Sequence, residues 1–203
     1  LGIIAAINEG KWQDRWSNIV SLATISVPEF FIAYLLILVF AVKLRWFPSL
    51  STVFDSMSIG ERLYKIALPV LTLTMLVAAH MLRMTRSSVL AIMSQPYIEM
   101  AFLKGMPRSR VILKHALPNA AAPIISVIAL NLAYLIVGVV VIEVVFVYPG
   151  VGQYMVDNIT KRDLPVVQAC GLLFAATFII LNTVADILAI IANPRLRKPT
   201  RAD

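Results

Sequence analysis

Two apolar stretches limit the folds open to this chain: residues 120–141, AAAPIISVIALNLAYLIVGVVV, and residues 166–192, VVQACGLLFAATFIILNTVADILAIIA. They run for 22 and 27 residues and hold a single charge between them, Asp186. A helix needs about 20 apolar residues to cross the hydrocarbon core of a bilayer. Inside that core every backbone N–H and C=O must be satisfied by the chain itself, which leaves helices as the form for runs of this length. Composition agrees: 60% of the 203 residues are hydrophobic and 14% are charged, where a soluble domain carries about 25% charged residues. The expected class is an all-α polytopic membrane protein.

The same reading divides residues 1–192 into a helix tail over 1–7, spans over about 16–42, 63–93, 118–142 and 165–192, and a loop over 94–118; residues 193–203 form a tail. The seven residues LGIIAAI are too few to span, and are read as the end of a helix that begins outside this numbering. Glu29 follows Pro28 inside the first full span. A carboxylate there costs about 2.5–3.5 kcal/mol on insertion scales, so it lines a water-filled path or is satisfied by groups near the proline kink. Asn131 stands alone in its span, as interhelical glue or as a path residue. Tyr148, Pro149, Gly150 and Gly152 form turn chemistry between apolar residues, suited to a segment that dips towards the membrane. That turn is expected to be an outer gate or dock, or else a cap on the last two spans. Asp186 falls near the far end of its helix, at an interface.

Chemistry is constrained by what the chain lacks. A single cysteine, Cys170, excludes an internal disulfide, and His80 and His115 are too few and too separated for a metal site. No Gly-rich loop ending in Lys-Ser/Thr occurs, so no nucleotide or other cofactor of its own is expected, and no catalytic residues are assigned. The net charge of +7 is explained by topology and does not call for nucleic acid. Residues 8–15, 83–114 and 195–201 hold 12 Lys and Arg, whereas the alternate connections hold 6. The positive-inside rule places the first set in the cytoplasm.

Residues 94–119, SQPYIEMAFLKGMPRSRVILKHALPN, are the one densely charged interruption. Pro96 suits a first helical turn, Gly105 a residue just past a helix end, and Pro107 a stop. The expected form is a helix of about two turns, then a second that starts at Pro107 and ends where Leu117-Pro118 disfavours α geometry. Glu99, Ala101, Gly105, Leu117 and Pro118 fall at the spacing E-x-A-x3-G-x11-L-P. This resembles the EAA loop of ABC importer permeases, EAA-x3-G-x9-I-x-L-P, with Met100 in place of the usual Ala and His115 in place of Ile. KHALPNA, VFVYPGVGQ and ANPRLR are similar to the dipeptide/oligopeptide/nickel branch of that family, over residues 1–197.

The resemblance implies a type I, MetI-like helical bundle whose N-terminal part is missing here, in a bacterial or archaeal plasma (inner) membrane. It implies a docking element for an ATPase subunit, the coupling helix, carried by Tyr97, Glu99, Ala101, Phe102, Gly105, Leu117 and Pro118. Glu29, Asn131, Tyr148, Pro149, Gly150 and Gly152 remain candidates for the path or gate. The implied partners are two ABC ATPase subunits that bind ATP and magnesium, a homologous permease subunit, an extracytoplasmic solute-binding protein and membrane lipid. The implied solute is a di- or oligopeptide, with nickel or another small solute as the alternative. A secondary transporter or channel, with Glu29 or Asp186 carrying ions, is the alternative from another class.

The charge asymmetry predicts that position 108 is cytoplasmic and position 157 external. In a Cys170→Ser background, an impermeant thiol reagent on intact cells should label Asp157→Cys and leave Arg108→Cys unlabelled. The reverse pattern would invert the topology.

Overall fold

A computed structural model describes residues 1–192. Among these the chain is all-α, with helices α1 (Gly2–Ile7), α2 (Trp12–Ile25), α3 (Glu29–Leu36, continued by a π-helical stretch Ile37–Lys43) and α4 (Ile59–Met93). There follow α5 (Pro96–Leu103), α6 (Arg108–Val111, continued by π-helical Ile112–Ala116), α7 (Leu117–Phe146), α8 (Val151–Thr160) and α9 (Leu164–Ala192). Helices α4 and α9 are each long and apolar enough to cross a membrane alone. Three bent pairs raise the possible number of spans to five: α2 with α3 at 103°, the end of α7 with α8 at 75°, and the helix around Ala122 at 45°.

The bends have local causes. Where the sequence suggests one span over 16–42, the backbone breaks between Ile25 and Glu29. Pro28 is extended, with φ −59° and ψ 144°, and a residue before proline avoids α geometry. Ser26 closes the end of α2 by donating both its N–H (2.9 Å) and its Oγ (2.7 Å) to Leu22 O. The expected helix end at Leu117-Pro118 is overturned, since the helical backbone continues from α6 through its π-helical stretch into α7 without a break. The wide turns of Ile112–Ala116 precede the proline, so its missing N–H falls where the i→i−4 pattern has already been given up. Glu143, just past the expected end of the span over 118–142, lies in the last turn of α7.

The chain forms two compact units, one of residues 1–21, 80–131 and the part from Ile180, the other of residues 22–79 and 132–179. In the first, Ala6, Val89 and Ala120 pack with Ile3, Leu90, Ile92, Met93 and Ile124. Small residues bring these helices close: a Cβ on Gly2 would lie 2.8 Å from the Leu82 carbonyl oxygen. A buried ion pair joins α2 to α4. Arg86 donates from Nε (2.5 Å) and Nη2 (2.8 Å) to the two carboxylate oxygens of Asp14, which also accepts from Gly10 N at 3.0 Å. Asp14 is 3% exposed.

In the second unit, Ala33, Leu68, Ile142 and Phe146 form the core, flanked by Phe40, Phe47 and Leu73. Residues 44–58 are tied over it. Ser51 N donates to Phe146 O (2.8 Å), Ser51 Oγ to Lys65 O (2.7 Å) and Tyr64 Oη to Trp46 O (2.9 Å). Helix α4 starts with a capping box: Glu61 Oε2 accepts from Ser58 N at 2.9 Å, and Ser58 Oγ accepts from Glu61 N at 3.4 Å.

Removing one member of the Asp14–Arg86 pair strands a buried charge, so Asp14→Ala or Arg86→Ala should cost about 3–5 kcal/mol. Arg86→Lys, which cannot keep the two-armed contact, should fall between them and the wild type. Thermal unfolding in detergent reads this order, and unchanged midpoints would remove the pair from the account of this unit's stability.

Candidate functional site

Helix α5 is built to stop. Pro96 occupies its first turn after an extended Gln95. At its other end Gly105 takes φ +75°, a left-handed conformation that costs an L-residue roughly 1–2 kcal/mol. Gly105 N donates to Phe102 O (2.9 Å) and Met106 N to Ala101 O (3.3 Å). These are the two bonds of a Schellman motif, and Met106 also makes the accompanying apolar contact, in the cluster that holds Ala101. The spacing from Ala101 to Gly105 is therefore that of the helix end itself. It turns the chain at once into α6, so α5 stays two turns long.

The placement of the candidate residues is uneven. Ile98 (0% exposed) and Ala101 (9%) face inward, packing with Val111 and Ala116. One turn apart on a two-turn helix, they form the stripe that fixes α5 to its own chain; of the two, Ala101 is among the residues that the resemblance assigns to the dock. Tyr97, Glu99 and Phe102 are exposed, with Met100 and Leu103 beside them, and Leu103 is 74% exposed. Leu117 and Pro118 open α7 and do not extend this face; Leu117 is half-buried and Pro118 exposed. Residues 193–203, which include ANPRLR from Asn193 onward, lie outside the described residues.

The path candidates also separate. Asn131 is buried and donates one N–H of its Nδ2 to Val127 O of its own helix at 2.7 Å. Glu29 is exposed in the first turn of α3, with its carboxylate against Gly138 of α7. Tyr148 lines an apolar pocket of about 160 Å³ with Ile66, Pro69, Leu73 and Ile142. Pro149 and Gly150 line a second pocket of about 560 Å³ with Thr52, Gln153, Tyr154 and Asp157. Gln153 Oε1 is buried there with no hydrogen-bond partner among the described residues, and its Nε2 donates to Asp157 at 2.9 Å.

Glu143 organises this end of the unit, and the sequence reading gave it no role. Its Oε2 accepts from Gly152 N (2.7 Å) and Gln153 N (3.1 Å), the free amides at the start of α8, where the helix dipole favours an anion. The two glycines leave it room. A Cβ on Gly150 would meet Glu143 Oε1 at 2.1 Å, and one on Gly152 would meet the Val140 Cα at 2.7 Å. A carboxylate that ends a long apolar run shortly before Gly150-Val151-Gly152 is the signal that could have found it.

The family described as "Binding-protein-dependent transport system inner membrane component" matches residues 1–198. Relatives include the glutathione transport system permease protein GsiC of Escherichia coli K12, 41% identical over 196 residues, covering 97% of this chain and 61% of that protein. The protein of the same name in Shigella flexneri serotype 5b is 40% identical over the same shares. The chain thus spans 61% of the length of the curated relatives it matches.

The glycine geometry predicts different responses to a single methyl group. Gly150→Ala meets a movable carboxylate and Gly152→Ala a fixed backbone, so Glu143→Ala should relieve the first and not the second. Glu143→Ala alone leaves two amides open, at about 1–3 kcal/mol for each group that stays buried. Thermal unfolding of the single and double variants checks this, and additive effects for Gly150→Ala with Glu143→Ala would contradict it.

Proposed function

The chain belongs to the family of inner membrane components of binding-protein-dependent transport systems, and from that premise we propose that it is a permease subunit of an ATP-driven ABC importer for small peptides. Glutathione, the solute in the relatives' name, is itself a tripeptide, which supports a di- or oligopeptide solute over nickel. A solute-binding protein delivers the peptide, a homologous permease subunit completes the path, and two ATPase subunits bind ATP and magnesium. This chain supplies the path and the lever; hydrolysis belongs to the partners.

The observation that carries the reading is α5. A two-turn helix with Ile98 and Ala101 anchored in its own unit presents Tyr97, Met100, Phe102 and Leu103 outward. It lies in the loop that the charge count assigns to the cytoplasm, the side on which ATP is available. An amphipathic helix with apolar anchors is a recurrent way to fill a partner's groove. Because α5 is locked to α6 by its end motif, a push on it is passed into the helices beyond, and closure of the ATPase pair biases the bundle between two states.

Co-purification of the ATPase subunits and peptide-stimulated ATP hydrolysis in reconstituted vesicles test the proposal. Phe102→Arg and Leu103→Arg should lose stimulation at least about tenfold with the bundle still folded. Gly105→Pro should do the same, because proline cannot take φ +75° and lacks the N–H that Phe102 O accepts. Glu99→Gln should be mild, since a rim ion pair is worth about 0–1 kcal/mol. Wild-type stimulation in both arginine variants would refute α5 as the dock, and peptide uptake without any ATPase would favour a secondary transporter.

A further inference from the structure

Glu29 is a carboxylate inside the apolar stretch 16–42, and among the described residues it has no hydrogen bond or ion pair. Its position on the helix shows what it faces. Glu29, Ala33 and Leu36 recur at i, i+4 and i+7, one stripe of α3. Ala33 is 0% exposed and Leu36 6%, and Ala33 packs with Leu68, Ile142 and Phe146. Gly138 stands one turn before Ile142 on α7, and a Cβ on it would lie 3.3 Å from Glu29 Oε2. The carboxylate therefore lies on the α3–α7 seam, one turn beyond the edge of its packed core.

The large apolar residues of α3, Phe30, Phe31, Tyr34, Leu35 and Leu38, are exposed away from that stripe and suit lipid or a neighbouring subunit. Glu29 is also exposed, yet it belongs to the inward stripe. A charge in this setting needs water or a cation, because lipid would penalise it. The break at Pro28 starts a new helix at Glu29, the discontinuous form by which membrane helices bring polar groups to a path.

We propose that Glu29 is a subsite for the cationic ammonium group of the transported solute, which in a peptide is its N-terminal amine. The proposal rests on the reading of the chain as a peptide permease. Glu29 holds the amine by charge and hydrogen bonds while the peptide passes the break, and Gly138 keeps the opposite wall open.

The test uses the assembled complex. ATP-driven uptake of an unblocked tripeptide is measured first, and failure there sinks the functional reading, not the subsite. The complex without binding protein is then photolabelled with a diazirine tripeptide, unblocked or N-acetylated, and labelling is mapped to residues 26–36. The wild type should label with the free amine about tenfold more than with the acetylated peptide. Glu29→Gln should abolish that preference, and Glu29→Asp should keep part of it. Equal labelling by both peptides in the wild type, or a preference that survives Glu29→Gln, would overturn the proposal. So would loss of partner subunits from the Glu29→Gln complex, which would assign the carboxylate to assembly.

Discussion

Helix ends dominate the structure, because the last N–H and C=O groups of a helix have no partner inside it and the chain closes several of these ends with its own groups. Three helices end the same way. After α5, Gly105 and Met106 bond back to Phe102 and Ala101; after α7, Val147 and Tyr148 bond back to Val144 and Glu143; after α8, Arg162 and Asp163 bond back to Ile159 and Asn158. In each, the residue past the helix takes positive φ: +75° at Gly105, +51° at Val147 and +59° at Arg162. A β-branched residue in that region is strained. At Val147 the strain is held by the bonds that bring Ser51 and Thr52 onto the end of α7.

Closed ends let the chain break its helices within apolar text. Glu143 satisfies the start of α8, so the segment after α7 turns by 75° without leaving its amides bare. Ser26 and Pro28 separate α2 from α3 and put Glu29 at the start of a new helix. The stop at Gly105 leaves α5 short enough to project its apolar side chains instead of merging with the next span. One device thus serves both the proposed path and the proposed lever.

Sequence showed some of this and hid the rest for physical reasons. Pro96 and Gly105 are residue types with strong backbone preferences, so both ends of α5 could be read from them. Val147 and Arg162 do the work of Gly105 without glycine, and nothing in their identity marks a left-handed turn. Nearly every residue of Pro96–Leu103 is apolar, so its buried stripe could not be told from its exposed face; tertiary packing chose Ile98 and Ala101. The Asp14–Arg86 pair joins residues 72 positions apart and has no local signature. Glu29 and the Tyr148–Gly152 turn were visible as polar or turn chemistry out of place in apolar text, although the acid that holds the turn was not.

The central claim is that the exposed face of α5 touches the ATPase subunit. In a Cys170→Ser background, Leu103→Cys carrying a short bifunctional thiol cross-linker should capture that subunit in the assembled transporter, with a yield that changes on adding ATP. Asp157→Cys, on the opposite side by the charge count, should capture none. No cross-link from Leu103→Cys in a complex that still hydrolyses ATP on adding peptide would contradict the account.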